Sequence, residues 1–439
     1  MSHLMFDLTP VLKAPVLALA GLAIPFLVSL KIYPIIIYTV RTKNLMDEPG
    51  ARSLHGNKVP TMGGVGLFIS FSLTSILLAL VTGLSQWELL KLLSVLAGSM
   101  ILFFLGVKDD LIALAPSKKI VGQVLAAILV VFLADIRIES FFGLMGVGIL
   151  PYWVSAIFTI LIFLLLINAY NLIDGIDGLA GTITLITCAT FMPFFFLNGD
   201  GLLLLVSSSL IGATTGFLFF NLSAKKRLFM GDTGSLFMGF LVAFLGVSFL
   251  AVNSTGNFAV SSGPALVLAV LSFPLLDTMR VSVIRIWNKK SLFKADRNHI
   301  HHRLLGLGLK HFQATFIIAL MNLMLIATVL ILNELNIQVQ LIMVLGLAPI
   351  YYFLPFAIAY TMGSTPVKMP VDMPVIAEEV VVDEIGSRIK EEPTPISFLE
   401  KVDVPTEGMH EKTAITSSAE RAKILEKAMD AFKKYKSTN

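Results

Sequence analysis

The sequence predicts an all-α polytopic membrane protein with about eleven transmembrane helices. The mean hydropathy is +0.84, and 56% of the 439 residues are hydrophobic whereas 14% are charged. Apolar runs of about 20 residues, the length that a helix needs to cross a bilayer, recur along the chain. Lys and Arg gather in alternate loops, as they do in proteins that cross a membrane many times.

The predicted spans fill residues 1–360, which we take as one transmembrane domain. The predicted spans are about 13–40, 62–82, 89–107, 119–134, 151–169, 177–197, 202–221, 234–252, 263–286, 312–333 and 338–360. Basic residues concentrate in the loops 41–61, 108–119, 222–233 and 280–311. The positive-inside rule therefore places the N-terminus outside and the C-terminus in the cytoplasm.

Charge and cysteine content exclude two other kinds of site. The formal net charge of +4 comes from the membrane loops, so it gives no reason to expect nucleic-acid binding. The single cysteine, Cys188, lies inside a predicted span, which excludes a disulfide framework and a cysteine-based zinc site.

The first basic loop carries three cations at intervals of three residues: Arg52, His55 and Lys58. Such an edge suits a phosphate group, although a basic anchor at the lipid headgroups is the alternative. Pro60 and the pair Gly63-Gly64 follow, and they would shape the start of the second span.

Two adjacent carboxylates, Asp109 and Asp110, end the third span. A pair of this kind can hold a divalent metal through oxygen, or mutual repulsion can leave one carboxylate as a base. The alternative is a cap on the next short segment.

The stretch Asn168–Gly178 places two amides, two carboxylates and two glycines at the end of an uncharged span. Polar groups are costly at that position and usually mark a site. Asp174 and Asp177 are three residues apart, so a continuing helix would present both on one face. The alternative is a helix stop in which Asn and Asp form the turn.

Two further acidic residues lie at the same predicted side of the membrane. Asp232 stands between glycines at the start of the eighth span, where free helix-start amides would face a ligand. A metal ligand is the preferred interpretation there, and an N-cap is the alternative. Asp277 precedes Arg280 by three residues after a break near Pro274, which favours a structural ion pair over catalysis.

The last basic loop contains His299-Ile-His301-His302-Arg303. Imidazole and guanidinium donors together suit a diphosphate. A zinc site and a solvated basic loop are the alternatives.

Residues 361–439 form a predicted tail outside the membrane. Residues 361–416 are acidic and contain prolines, which indicates a linker or a loosely folded segment. Residues 417–439 predict an amphipathic helix, and two interpretations stay open: it lies on the bilayer surface, or it pairs with a second copy as a homodimer.

With these motifs together, residues 40–310 resemble the polyprenyl-phosphate N-acetylhexosamine-1-phosphate transferases. The matching stretches are Arg52-Ser-Leu-His55, Pro60, Gly63-Gly64, Asp109-Asp110, Asn168-Ala-Tyr-Asn171-Leu-Ile-Asp174-Gly-Ile-Asp177-Gly-Leu-Ala, Gly231-Asp232-Thr-Gly-Ser-Leu and His299-Ile-His-His302-Arg303. One departure is Ala113, where the family often carries an acidic or amide residue, so we expect no role there.

The resemblance implies transfer of N-acetylhexosamine-1-phosphate, with GlcNAc-1-phosphate as first choice, from a UDP-sugar to undecaprenyl phosphate with release of UMP. It implies the bacterial inner membrane, with the active site on its cytoplasmic face, and the first step of a surface polysaccharide. The branch with three consecutive histidines, phospho-MurNAc-pentapeptide transferase, is one alternative. A membrane transporter is the alternative from another class.

The resemblance also implies a role for each motif residue. The expected catalytic residues are Asp109, Asp110, Asp174 and His302. The expected ligands of Mg²⁺, with Mn²⁺ as the alternative ion, are Asp232, Asn171 and Asp110. The expected substrate-binding residues are Arg52, His55, Lys58, Asn171, Asp174, Asp177, His299, His301, His302 and Arg303.

Overall fold

The structure is a computed structural model that describes residues 10–43, 46–47, 59–223, 226–289 and 298–361. The predicted tail segments 361–416 and 417–439 lie outside this part of the chain, apart from residue 361. Arg52, His55 and Lys58 also lie outside it, so their predicted substrate contacts stay predictions.

Helices make up most of the described residues. They are α1 (Pro10–Thr42), α2 (Gly63–Thr82), α3 (Gln86–Leu111), α4 (Pro116–Ile128), α5 (Tyr152–Ile173), α6 (Leu179–Leu197), α7 (Gly201–Asn221), α8 (Gly231–Thr255), α9 (Gly263–Val270), α10 (Ser272–Trp287), α11 (Ile300–Leu305), α12 (His311–Ile331) and α13 (Ile337–Thr361). A π-helical turn at Leu129–Leu133 continues α4, and Leu144–Gly146 forms a 3₁₀ turn. Two short antiparallel strands, β1 (Met46–Asp47) and β2 (Val59–Pro60), pair with each other.

The predicted count of membrane spans is confirmed. Ten helices in the described part of the chain are long and apolar enough to cross a membrane, and α9 with α10 makes an eleventh if the bent pair is one span. The two helices are bent by 67°. The bend lies at Leu271, three residues before the predicted break at Pro274. A proline is tolerated in the first turn of a helix because its missing N–H has no partner to lose, so α10 starts before Pro274.

The centre of the fold is α8, which is apolar on all sides and therefore buried on all sides. Within an apolar stretch of 18 residues in α8, 83% of the residues are buried inside the protein. Phe237, Phe240, Phe244 and Phe249 are fully buried there. The neighbours α3 and α5 pack along its length, so their ends are positioned by the same helix.

Small residues let two helices approach the start of α8 closely. A Cβ atom on Gly64 of α2 would lie 2.1 Å from the backbone nitrogen of Gly234. A Cβ atom on Gly106 of α3 would lie 2.4 Å from Cα of Thr233. The segment before α2 adds backbone hydrogen bonds, because the amide of Phe229 donates to the carbonyl of Pro60 (2.9 Å). The first turn of α8 is therefore held from several directions.

Candidate active site

The acidic motifs meet where the ends of α3 and α5 face the starts of α4 and α8. Successive spans run in opposite directions, so the end of one span and the start of the next lie on the same side. The described chain brings Asp109, Asp110, Asn171 and Asp232 together at this place, with Lys119 among them. These four predicted residues thus form one cluster, which we call the acidic cluster.

Asp110 holds the start of α8 through both of its carboxylate oxygens. Its Oδ1 accepts a hydrogen bond from the backbone amide of Asp232 (2.7 Å). Its Oδ2 accepts from the amide (3.1 Å) and the hydroxyl (2.5 Å) of Thr233. From the sequence, the amides at the start of α8 are expected to face a ligand. That expectation is wrong for these two amides, because a carboxylate from α3 already binds them.

Lys119, near the start of α4, bridges two of the carboxylates. Its ammonium nitrogen lies 2.8 Å from Oδ2 of Asp232 and also contacts Oδ2 of Asp109. The other oxygen of Asp109 accepts a hydrogen bond from the backbone amide of Leu114 (2.7 Å). Asp109 therefore makes the capping contact that the sequence analysis kept as an alternative, while it also faces the cluster.

Sequence reasoning did not single out Lys119. A signal was present, because Lys118 and Lys119 stand in the first turn of a predicted span, a few residues after two carboxylates. Lys118 is exposed and Lys119 is partly buried. Only the fold distinguishes the lysine that faces the cluster from its neighbour.

Asn171 links the end of α5 to the cluster. Its amide nitrogen lies 2.9 Å from Oδ1 of Asp232 and 2.9 Å from the hydroxyl of Ser235. One turn earlier, Asn168 exchanges amide hydrogen bonds with the buried Gln123 of α4 (2.8 and 3.3 Å). These contacts set the depth of α5 against α4 and α8, and so they set the position of Asn171.

Asp174 lies just beyond α5, which ends at Ile173. The expectation that Asp174 and Asp177 share one helical face is therefore wrong, because the helix does not continue through them. Burial raises the pKa of the Asp174 carboxyl well above its ordinary value, and the charges of Asp232, Asp110 and Asp177 raise it further. Asp174 is therefore a carboxyl that holds its proton more strongly than an exposed one.

Asp177 faces a different set of partners. Its carboxylate contacts the guanidinium of Arg227 and lies 3.0 Å from Nδ1 of His311. Its backbone carbonyl accepts a hydrogen bond from the hydroxyl of Thr315 (3.0 Å). Asp177 thus joins the start of α6 to the start of α12, and sequence reasoning missed both Arg227 and His311 as partners.

The histidine segment, residues 299–303, packs on the turn that contains Asp174 and Asp177. His301 is fully buried, and a Cβ atom on Gly175 would lie 2.5 Å from its Nε2. Its ring centre lies 4.2 Å from that of His302. The guanidinium of Arg303 lies 5.0 Å from the ring centre of Phe356 on α13. The structure therefore brings the histidines beside the acidic turn, with Arg303 at the outer edge of the segment.

The anchor of this segment is Asp277, which the sequence analysis treated chiefly as a partner of Arg280. The distance between those two side chains is 3.6 Å. The distance from Asp277 to Nδ1 of His299 is shorter, at 2.8 Å. The ion pair is present, but the carboxylate binds the histidine segment more closely than the arginine.

The donor set of the acidic cluster suits a magnesium ion. Among the residues that the structure describes, no group of three His, Cys, Asp or Glu side chains is placed to hold a metal ion. Mg²⁺ is usually bound by one or two protein carboxylates together with water and substrate phosphates. Asp232 and Asn171 are in contact, and a half-turn of the amide would present the Asn171 oxygen. These two residues therefore fit the ion.

Known proteins match the chain over the same region. A model of the family described as "Glycosyl transferase family 4" matches residues 92–250. A Bacillus subtilis protein named "Probable undecaprenyl-phosphate N-acetylglucosaminyl 1-phosphate transferase" is 30% identical over 336 residues, which cover 74% of this chain and 88% of that protein.

Two further relatives come from other bacterial groups. A Mycobacterium tuberculosis protein named "Decaprenyl-phosphate N-acetylglucosaminephosphotransferase" is 30% identical over 69% of this chain and 79% of its own length. A Salmonella typhi protein named "Undecaprenyl-phosphate alpha-N-acetylglucosaminyl 1-phosphate transferase" is 26% identical over 63% of this chain and 73% of its own length. The chain therefore belongs to glycosyl transferase family 4, among the polyprenyl-phosphate N-acetylhexosamine-1-phosphate transferases that its motifs resemble.

Proposed function

We propose that this protein transfers GlcNAc-1-phosphate from UDP-GlcNAc to undecaprenyl phosphate, releases UMP, and thereby starts a cell-surface polysaccharide. The observation that carries the proposal is the acidic cluster, in which Lys119 bridges Asp109 and Asp232 while Asn171 contacts Asp232. The names of the relatives supply the chemical class of the two substrates.

The reaction requires one anion to approach another. An oxygen of the lipid phosphate forms a bond to the phosphorus that carries the sugar, and the bond from that phosphorus to the UMP oxygen breaks. Positive charge that is already in place lowers the barrier to such a step. Lys119 supplies one such charge, and the histidine segment, which packs on the turn at Gly175, supplies further N–H donors.

Asp109 is the candidate for positioning the lipid phosphate. The second pKa of a phosphate monoester is about 6, so the attacking group is mostly deprotonated at neutral pH. A base would then contribute little, and the position of Asp109 beside Lys119 matters more than its ability to take a proton. Direct attack by the lipid phosphate therefore needs no covalent enzyme intermediate.

A magnesium ion completes the proposal. Asp232 and Asn171 would hold it, with Asp110 as the third predicted ligand, and Mn²⁺ is the alternative ion. When bound, the ion would draw negative charge from the diphosphate of the donor. The protein's own task is then to keep Asp232 and Asn171 in contact at the ends of two different helices.

We place the site on the cytoplasmic face of the bacterial inner membrane. The loops predicted on the same side of the membrane as the acidic cluster, 41–61, 108–119, 222–233 and 280–311, together carry most of the Lys and Arg residues of the membrane domain, which indicates the cytoplasmic side. A water-soluble sugar nucleotide is also supplied from that side. This orientation puts the N-terminus outside and the C-terminus in the cytoplasm.

The test is UMP release by purified protein with UDP-GlcNAc, undecaprenyl phosphate and Mg²⁺. Wild type should release UMP only when the lipid is present, and Asp232→Asn should lose this activity by about 10²-fold or more. Asp200→Asn is the matched control, since Asp200 caps α7 at the opposite side by accepting from the amide of Leu203 (2.8 Å).

Other results of the UMP-release assay would contradict different parts of the proposal. Turnover with UDP-GalNAc or UDP-MurNAc-pentapeptide, but none with UDP-GlcNAc, would keep the reaction and replace the substrate. Absence of UMP release with every UDP-sugar would contradict the proposed function. Full activity in EDTA would contradict the magnesium proposal alone.

A further inference from the structure

We infer that Asp277 is a positioning residue that sets the tautomer of His299, so that Nδ1 carries the proton and Nε2 is the nitrogen available to the sugar nucleotide. This inference rests on the proposed function for the identity of the ligand. The geometry of the pair stands without it.

Asp277 and His299 form a buried pair. Asp277 is fully buried, and His299 is 3% exposed. A buried carboxylate is costly unless its oxygens are hydrogen-bonded. Oδ2 of Asp277 lies 2.8 Å from Nδ1 of His299, and Oδ1 accepts from the backbone amide of Ile300 at 2.8 Å. Both oxygens are therefore used by two consecutive residues of the histidine segment.

The hydrogen bond between His299 and Asp277 has a defined direction. An ionised carboxylate is an acceptor only, so the proton between Oδ2 and Nδ1 must belong to the imidazole. The hydrogen bond made by one ring nitrogen determines which nitrogen is left for other partners. In His299 that nitrogen is Nε2.

The bend between α9 and α10 positions the Asp277 carboxylate beside the histidine segment. Asp277 lies on α10, after the 67° bend that separates α10 from α9. A buried network holds the bend, because the amide of Asn322 donates to the carbonyl of Ala269 (2.9 Å) and contacts the hydroxyl of Tyr352 (3.1 Å). That hydroxyl also lies 2.8 Å from the hydroxyl of Ser272. The direction of α10 relative to α9 is therefore set by hydrogen bonds to Asn322 of α12 and Tyr352 of α13.

His301 connects the pair of Asp277 and His299 to the candidate active site. The ring centre of His299 lies 5.5 Å from that of His301, and the two rings are nearly parallel. His301 in turn packs against Gly175, between Asp174 and Asp177. His301 thus packs against both His299 and the acidic turn, so a change of the His299 tautomer would alter the hydrogen bonds offered beside that turn.

Asp277→Asn is the variant that isolates the effect. The asparagine oxygen can still accept from the amide of Ile300, so the segment stays anchored. Its amide nitrogen would face Nδ1 of His299 as a donor, which reverses the hydrogen bond and moves the imidazole proton to Nε2. We expect kcat/KM to fall about 10–100-fold, by analogy with carboxylates that orient a metal-binding histidine through its other ring nitrogen.

His299→Asn completes a double-mutant cycle, because its amide nitrogen stands near the place of Nδ1 and nothing replaces Nε2. If Asp277 acts through His299, the double variant should be no less active than His299→Asn alone. Losses that multiply would overturn the inference. Asp200→Asn is again the control, since Asp200 binds the backbone amide of Leu203 and pairs with no histidine in the described part of the chain.

A spectroscopic reading separates this inference from the proposed function. Protein labelled with ¹⁵N-histidine reports which ring nitrogen is protonated, and the signal that disappears in His299→Asn identifies His299 among the seven histidines. Wild type should show a protonated Nδ1, and Asp277→Asn should show a bare one. The same tautomer in both proteins would overturn the inference even if UMP release is normal. Absence of UMP release from wild type would instead contradict the proposed function.

Discussion

The ammonium group of Lys119 lies 2.8 Å from the carboxylate of Asp232, although 113 positions separate the two residues in the chain. This contact joins α4 to the central helix α8. It also gives the acidic cluster its positive charge, since Lys119 contacts Asp109 as well. Removing this single side chain would leave several carboxylates facing one another.

Lys119→Met tests the importance of that charge. We expect kcat to fall about 10²–10³-fold, because the anionic substrates would meet uncompensated carboxylates. The UMP-release assay measures it, with protein folding checked by thermal unfolding. Lys118→Met is the matched control, since Lys118 is an exposed lysine on the same helical turn and should tolerate the change. Equal losses in the two variants would contradict a specific role for Lys119.

Gly106→Ala tests the close approach of α3 to α8. A Cβ atom at this position would lie 2.4 Å from Cα of Thr233, and two backbones would have to separate. We expect a loss of about 1–3 kcal/mol in the free energy of unfolding and a parallel loss of activity, because Asp110 would release the start of α8.

Gly346→Ala is the control for that experiment. Gly346 lies inside α13, and a Cβ atom there would meet no other heavy atom within 4 Å. An exchange of glycine for alanine in a helix with free space should be neutral or stabilise by up to about 1 kcal/mol. Comparable destabilisation by both alanines would contradict the packing argument.

Asp177→Ala tests the junction between α6 and α12. The side chain of Asp177 is 4% exposed and pairs with Arg227 and His311. Its removal should lower the free energy of unfolding by about 1–3 kcal/mol, because the hydrogen bonds of a buried carboxylate to Arg227 and His311 are lost. Glu139→Ala is the control, since the Glu139 carboxylate is 56% exposed in its pair with Arg137 and should cost no more than about 1 kcal/mol.

His301→Gln tests a pH dependence of stability. Burial lowers the pKa of His301 well below its ordinary value, and the charges of His302, His299 and His311 lower it further. The unfolded chain therefore binds a proton below about pH 6.5 that the folded chain does not, so stability falls as the pH falls through this range.

Glutamine has no such proton, and it removes up to about 1.4 kcal/mol of that loss per pH unit. Thermal unfolding of both proteins between pH 7 and pH 5 measures the difference. The melting temperature of wild type should drop more steeply than that of His301→Gln. Parallel curves would show that His301 does not titrate differently in the two states.

The spans were predictable because long apolar runs are a local property of the sequence. Eleven runs were identified, and the structure differs mainly at helix ends, for example at α8, which begins at Gly231 rather than near 234. The bend at Leu271 was displaced by three residues in the prediction. Its position depends on Asn322 and Tyr352, which lie far along the chain and can be recognised as partners only in the fold.

The acidic residues of the site were predictable for a related reason. Carboxylates and amides at the ends of apolar spans are costly, so Asp110, Asn171 and Asp232 stand out without a structure. Their partners do not stand out, because a lysine or histidine in a basic loop resembles its neighbours. The contacts of Lys119 with Asp109 and Asp232, and the hydrogen bond between Asp277 and His299, join helices that are distant in sequence. They can therefore be recognised only in the folded structure.

The hydrogen bonds that Asp110 accepts from the start of α8 also bear on how the protein is made. When α3 enters the membrane during synthesis, the amides that will bind Asp110 have not yet been translated, because α8 begins 121 residues after this residue. Until then the acidic end of α3 must remain in contact with water. Insertion of α8 therefore completes the hydrogen bonds of Asp110, and a chain truncated before Gly231 would leave this carboxylate without the two amides and the hydroxyl that it binds in the folded protein.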